Sequence, residues 1–425
     1  MRIALWLAAL FAIAVASALF AGSNQGTVTV YWHPYRVDLS LNLVLLLLVG
    51  SFIALHGAMR AWSALLKIPQ QARNWRLLQK ERAMNSALLD ALSHLAAGRF
   101  VRSRKAAELV VSLEESVERS GARLPYTGRL RTLSHLLAGE SAHAVQDRVV
   151  RDAHFQLALD ESVRRDSQDV RDGVYLRAAR WAFEDRDAAA ALQWLDQLPQ
   201  GAGRRTAALR LRFKAARLGG QSQMALDTVR LLTKHRAFSE TAGKSIARGL
   251  VLEMLRAAHD PVQVQRVWDV LDRSEQQLPE IAVAAAERLL VLGGDALFAR
   301  RWLLPVWEAM AVRHETMVLA QRVRVVQALE HSFGVSGGAP DAAWLARIET
   351  AQMANPRDAV LQYLAGVVCM RLSLWGKAQQ MLKQSLSMLD DSELRRDAWL
   401  ALARLAEQRQ DATAATEAYR EAAKR

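Results

Sequence analysis

Two stretches, VYLRAARWAFEDRDAAAALQWLDQL (174–198) and LRLRFKAARLGGQSQMALDTVRLL (209–232), carry alanines in one local frame, with Ala191 and Ala225 standing 34 residues apart. A small residue returning at that interval marks a helix–turn–helix repeat, because two helices cross closely only where no bulky side chain separates them. Tyr175, Ala178, Ala179, Ala191 and Leu195 take the repeat positions in the first stretch, and Leu209, Ala216, Gly220 and Ala225 in the second. The C-terminal end shows the pattern more fully. In AVLQYLAGVVCMRLSLWGKAQQMLKQSLSM (359–388), Gly366 falls at the small position of a first helix, Ala378 at that of a second helix, and Leu382 at the large apolar position. In the last segment Trp399, Leu402, Ala403, Ala415, Tyr419 and Ala422 do the same, with Asp411 in the turn. Ala378 to Ala415 is 37 residues, one period plus a three-residue insertion. Weaker copies turn at Gly98, at Gly139 and at Gly293–Gly294, and Asp260-Pro261 opens a degenerate pair around Trp268. Asn355-Pro356 ends a helix. GVSGGAP (334–340) reads as a flexible linker separating repeats in 67–333 from a C-terminal pair in 341–425. With 51% hydrophobic but only 7% aromatic residues, and abundant Ala, Leu and Arg, the composition is that of a helix former. The expected fold is all-α, a tetratricopeptide-like solenoid.

Ahead of the repeats, residues 1–66 read as a two-helix transmembrane hairpin. Residues 3–21 and 39–59 carry no charge, and the second span is taken to about residue 62. Each is about long enough to cross a hydrocarbon core of ~30 Å. Between them the outside loop, 22–38, contains TVTVYW, whose alternation suits a short strand or an interfacial segment, and Tyr31, Trp32 and Tyr35 suit an aromatic belt. Charge sets the orientation. From Arg60 to Lys105 there are ten basic residues against Glu81 and Asp90, so +8 of the net +13 lies in that segment. The positive-inside rule therefore puts everything after about residue 62 in the cytoplasm, and the basic excess is assigned to lipid headgroups rather than nucleic acid. A cleavable leader, with a small-residue site at Ala16-Ser17-Ala18, is the other reading of the first run, and it leaves the second span in place. His56 lies within the second span, where an ionisable residue is a functional candidate, here for a tetrapyrrole-related role.

Motifs of catalysis are missing from the sequence: no GxGxxG, GxxxxGK[ST], HExxH, GxSxG or CxxCH. The single cysteine, Cys369, excludes disulfide frameworks and multi-cysteine metal sites and reads as a buried packing residue. His94, His135, His143 and His154 are the nearest to a histidine group, but His135 and His143 straddle the turn expected at Gly139, and solvated or core histidines are the default; no metal is expected. Trp181, Trp194, Trp268, Trp302, Trp307, Trp344 and Trp375 fall at helical spacing and read as solenoid packing. Arg177, Arg180, Arg210, Arg212 and Arg217 lie on or near first helices and form a candidate groove for an acidic partner. Each taken singly also fits an ordinary solvated helix face.

Four segments carry a family resemblance: Gly22–Leu41 (GSNQGTVTVYWHPYRVDLSL), KIPQQARNWRLLQKERA after the second span, AAGRFVRSRKAAEL, and LWGKAQQMLKQSL near the C-terminus. Together they resemble the HemY family of bacterial inner-membrane proteins. The resemblance implies a multi-pass inner-membrane tetratricopeptide protein associated with late haem (porphyrin) biosynthesis. An unrelated flavin-dependent oxidase shares the name, but its dinucleotide fingerprint is missing here, so no oxidase activity is carried over. The first expectation is a non-enzymatic scaffold that holds enzymes of haem biosynthesis on a helical groove, with lipids as its other partner and no cofactor of its own. The alternatives are a carrier or enzyme that binds haem or another porphyrin, and a general envelope-assembly adaptor.

Overall fold

A computed structural model describes residues 2–121, 126–164, 167–312, 317–334 and 339–424. The chain divides into two compact units, Met1–Arg171 and Asp172–Arg425. Unit 1 holds α1 (Arg2–Ser23), strands β1 (Thr27–Trp32) and β2 (Tyr35–Ser40), the 56-residue α2 (Leu41–Ala96), α3 (Phe100–Arg119), α4 (Thr127–Ala144) and α5 (Arg148–Ser162). The boundary falls inside α6 (Gln168–Glu184). Unit 2 continues through α7 (Ala188–Asp196), the short α8 (Gln200–Gly203), α9 (Thr206–Leu218), α10 (Ser222–Lys234), α11 (Glu240–Ala257) and α12 (Pro261–Asp269). It then runs through the short α13 (Arg273–Gln276), α14 (Pro279–Val291), α15 (Ala296–Val312), α16 (Leu319–Gly334), α17 (Ala342–Ala354), α18 (Ala359–Arg371), α19 (Trp375–Leu386), α20 (Ser392–Gln408) and α21 (Ala412–Ala423).

One turn geometry recurs in seven helix pairs. Gly98, Gln146, Arg186, Gly220, Gly293, Ser373 and Gln410 each have φ between 59° and 76° and separate a first helix from its second. At every one of them the next residue's N–H reaches the carbonyl five residues back, as in Leu374 N to Cys369 O at 2.8 Å, and the left-handed residue's own N–H reaches the carbonyl three back. This is the Schellman closure, which satisfies the orphaned carbonyls of the first helix and reverses the chain at once. Aspartates at 147, 187 and 411 then cap the second helix by accepting the N–H of Val150, Ala190 and Ala414. Five residues past the left-handed position stand Ser103, Ala191, Ala225, Ala378 and Ala415, all buried. The turn thus delivers a small side chain to the crossing in each of these pairs.

The crossing between α18 and α19 is close. A Cβ added to Gly366 would lie 2.7 Å from Leu382 Cγ and 3.1 Å from Leu382 N, so only glycine fits there. Ala378 and Leu382 are fully buried beside it, Ala403 is buried on α20, and Trp399 is partly buried against the main core. Tyr419 departs from the packing role expected of it. It is 39% exposed, and its hydroxyl donates to Glu407 at 3.0 Å, because α21 is the last helix described and presents its outer face to solvent. Gly139 is a second correction. It is buried inside α4, and the chain turns at Gln146, so His135 and His143 share one helix. In unit 1 the same logic of small side chains joins three helices. Ser103 of α3 donates to the Ala91 carbonyl of α2 at 2.8 Å and lies 2.9 Å from Ser141 of α4.

At the N-terminal end TVTVYW is a strand, and it has a partner that the sequence reading did not name. β1 pairs antiparallel with β2, from Thr27 opposite Ser40 to Trp32 opposite Tyr35. Ser40 caps α2 by accepting from Leu43 N. Among the described residues, one helix is long and apolar enough to cross a membrane, Leu41–Ser63 of α2; α1 contributes the shorter apolar run Ala8–Leu19. The linker expected at 334–340 lies largely outside the described residues; of its flanks, Ala339 accepts from Arg300 Nη1 at 3.2 Å and Pro340 is buried.

Candidate functional site: a charged groove on three first helices

In unit 2, α16, α18 and α20 lie side by side as successive first helices, and a cleft of about 430 Å³ runs across them. Its lining repeats with the helices. Glu330 and Asp397 line it, and Tyr363, buried beneath, holds the same position on the helix between them, 33 and then 34 residues apart. Val367 and Ala401 form an apolar floor, and Arg371 and Arg404 stand one repeat apart on the rim. Tyr363 is buried, and its hydroxyl donates to Glu330 Oε2 at 2.7 Å. Burial pushes the Glu330 carboxyl above the usual range, although the Tyr363 hydrogen bond and the two arginines pull it down. Burial raises Asp397 as well. Arg371 and Arg404 are exposed, and neither guanidinium makes a hydrogen bond or ion pair among the described residues. The groove therefore offers two unengaged cations over carboxyls whose charge is disfavoured.

Two larger clefts of unit 2 mix paired cations with Arg204, Lys234 and Arg236, which have no side-chain partner among the described residues. In the 930 Å³ cleft between α10, α11 and α13, Arg230 pairs with Glu275 at 2.5 Å, Lys244 with Glu240 at 2.7 Å and Arg248 with Glu280 at 3.5 Å. The 790 Å³ cleft beside α9 includes Arg212, which pairs with Asp196 at 2.6 Å and donates to Leu195 O. Of the arginines singled out in the sequence, Arg210 donates to Ala237 O at 3.3 Å, two residues and some 200° around α9 from Arg212. Arg177 and Arg180 lie on α6, where Arg180 pairs with Glu184 at 2.8 Å, and Arg217 is exposed in the last turn of α9. Arg210 and Arg212 thus face different ways, and each reaches a carbonyl of a neighbouring segment. His56 is exposed on α2 and stacks on Phe52 with ring centroids 6.4 Å apart.

Unit 1 carries a second polar assembly, and it is structural. Arg131 of α4 binds Glu114 and Glu118 of α3 and approaches Glu161 of α5 at 3.6 Å; Glu114 is 3% and Arg131 12% exposed. Beside it His135 Nδ1 meets His154 Nδ1 at 3.1 Å, and His154 Nε2 lies 3.5 Å from Glu108. Burial, then the His154 and Arg131 charges, push His135 down to about 4. Among the described residues no group of three or more His, Cys, Asp or Glu side chains is arranged to hold a metal ion. Cys369 is fully buried on α18, and burial pushes its thiol up. The His135 arrangement has a pH consequence. Between about 4 and the ordinary histidine value the unfolded chain binds a proton that the folded one refuses. Stability against denaturant is expected to fall as pH drops from 7 to 4.5, with a flatter profile in His135→Gln. An identical slope in the variant would show that His135 is not the source.

Helix pairs closed by a common turn, small residues at their crossings, a groove across first helices and a helix of membrane-crossing length define an all-α helical-repeat protein of tetratricopeptide type. Residues 26–125 match the family model described as HemY protein N-terminus, which places that segment, about a quarter of the chain, among HemY N-terminal domains. No curated protein matches it. Among solved structures it is similar to yeast Tom70, at 13% identity over 78% of this chain and 66% of that one, with a TM-score of 0.30. The APC/C hetero-tetramer Cut9–Hcn1 gives 13% identity, 80% and 66% coverage, and a TM-score of 0.29. The TPR domain of P58(IPK) gives 16%, 77% and 99%, and 0.22. The chain spans just under two thirds of the first two. Scores of this size carry no argument about the fold, which rests on the helix pairs themselves.

Proposed function

We propose that this chain is an inner-membrane adaptor associated with late haem biosynthesis, which docks an acidic segment of a partner protein on the α16–α18–α20 groove. The observation that carries the docking reading is the pair Arg371 and Arg404, exposed and unengaged over an apolar floor. Placing two cations one repeat apart on rigid helices lowers the ordering cost of binding an extended acidic peptide. The membrane reading draws on Leu41–Ser63 and the basic segment that follows it, with α1 as a second span and the repeats on the cytoplasmic side. The haem association draws on the family, and the role is holding partners rather than catalysing a reaction.

The test is recovery of partners from detergent-solubilised membranes. Wild-type chain is expected to retain enzymes of the late haem pathway, and Arg371→Glu and Arg404→Glu are each expected to weaken capture about tenfold or more by placing like charges together. Equal recovery by the double variant would refute the groove. Recovery of only envelope-assembly proteins would refute the haem association.

A further inference from the structure

The β1–β2 ribbon separates its residues by chemistry as well as by strand. Directly opposed residues share a face, so Val28–Leu39, Val30–Val37 and Trp32–Tyr35 lie on one side, and Thr27–Ser40, Thr29–Asp38 and Tyr31–Arg36 on the other. The second side is polar and satisfied from within. Thr29 Oγ1 donates to Asp38 at 2.6 Å, Arg36 pairs with Asp38 at 3.4 Å, and the Arg36 guanidinium sits 5.6 Å from the centre of the Tyr31 ring. The first side is wholly apolar but for the Tyr35 hydroxyl and the Trp32 indole N–H, and it is uncovered, with Trp32 78% exposed. A two-stranded ribbon in water is marginal without cover for such a face.

What covers it follows from its attachment. The ribbon ends at Ser40, the cap of α2, and the membrane-length apolar run begins at the next residue, Leu41. Leu41 N donates to Gly26 O at 2.9 Å, which ties the other end of the ribbon to the same helix start. A Cβ on Gly26 would come 3.2 Å from Leu41 Cδ2, so the junction is close. Val28 and Leu39, at the base, are half-buried, and exposure rises toward Trp32 and Tyr35 at the tip. An apolar face fixed at the mouth of a lipid span, ending in a Trp and a Tyr with polar handles, has the composition of the headgroup boundary.

We propose that the ribbon is an interfacial anchor: its Val28–Val30–Trp32–Tyr35–Val37–Leu39 face lies in the glycerol and headgroup layer of the bilayer, and its Thr–Asp–Arg face points to water. This rests on the membrane reading above. It commits to lipid as the occupant, because the face is continuous with the apolar helix. It assigns β2, and not β1 alone, to the membrane.

The experiment uses the full chain in nanodiscs of phosphatidylethanolamine and phosphatidylglycerol. Cys369 is buried, so a spin label attaches selectively to Val30→Cys or Val37→Cys on one face and Thr27→Cys or Arg36→Cys on the other. The apolar-face labels are expected to relax several-fold more with oxygen than with a water-soluble nickel chelate, and the polar-face labels the reverse. Equal chelate access on both faces overturns the proposal. Spin–spin broadening at Val30→Cys and Val37→Cys that vanishes on dilution with unlabelled chain also overturns it, in favour of a second copy. Failure of the unlabelled chain to enter bilayers overturns the membrane reading instead, so the two failures are told apart.

Discussion

Arg131→Met is expected to destabilise unit 1 by roughly 3–5 kcal/mol, the cost of breaking a buried ion pair from one side. The guanidinium stands among three carboxylates from two other helices, Glu114, Glu118 and Glu161. Without it, Glu114 would be left buried beside two like charges. Burial already holds the Glu114 carboxyl above its usual range with the arginine in place, so removal pushes it further toward the neutral form. The defect should therefore shrink as pH falls and Glu114 takes a proton. Adding Glu114→Leu to Arg131→Met should recover much of the loss, since a matched apolar pair of similar volume is often neutral. Chemical denaturation across pH reads all three. A loss below about 1 kcal/mol, the scale of an exposed pair, would show that the cluster is solvated.

Gly366 and Leu382 are expected to be coupled with unusual sign. Leu382→Ala alone should cost roughly 2–5 kcal/mol as a buried truncation. Gly366→Ala alone gains helix propensity, yet its Cβ would meet Leu382 Cγ at 2.7 Å, and forcing that contact should cost about 1–3 kcal/mol. With Leu382 already truncated, the contacts with Cγ and Cδ2 disappear, only that with the backbone N remains, and the new methyl enters the vacated space. The double variant should then be more stable than the sum of the singles by about 0.5 kcal/mol or more, the range expected of residues in contact. Simple additivity, measured by denaturant midpoint, would mean that α18 and α19 do not meet where the structure puts them.

Some of this was legible in the sequence and some was not, and the difference is physical. Small residues at a fixed interval report helix crossings directly, which is why Gly366, Ala378 and Ala191 could be placed without coordinates. Turns were legible where glycine supplied the left-handed conformation, as at Gly98, Gly220 and Gly293, and in the last pair through Asp411. At Gln146, Arg186, Ser373 and Gln410 a non-glycine residue adopts it, and its signal is the aspartate that follows three of the four. Gly139 misled because a glycine buried mid-helix looks the same as one in a turn. Arg210 and Arg212 on α9 were visible as charge, but their partners, Asp196 and the carbonyls of Leu195 and Ala237, lie outside that helix. The groove itself had a readable mark that charge counting passed over: Glu330, Tyr363 and Asp397, then Arg371 and Arg404, recur at one repeat length. The strand YRVDLS was hidden because its polar positions, Arg36 and Asp38, pair within the ribbon rather than marking a loop.

The 56-residue α2 has a mechanical consequence. It begins as the apolar run Leu41–Ser63 and ends by burying Met84, Ala87 and Ala91 among the first helix pairs. In one unbroken rod, length and azimuth are the same variable. Each residue inserted between the two parts would raise the first pairs by ~1.5 Å and turn them by ~100° about the axis. An insertion of seven, which returns to within ~20°, would lift them by about 10 Å and leave them facing nearly the same way. On the membrane reading proposed above, height above the bilayer can thus change only by insertions close to whole numbers of turns, such as roughly 7, 11 or 18 residues, if the direction of presentation is to be kept.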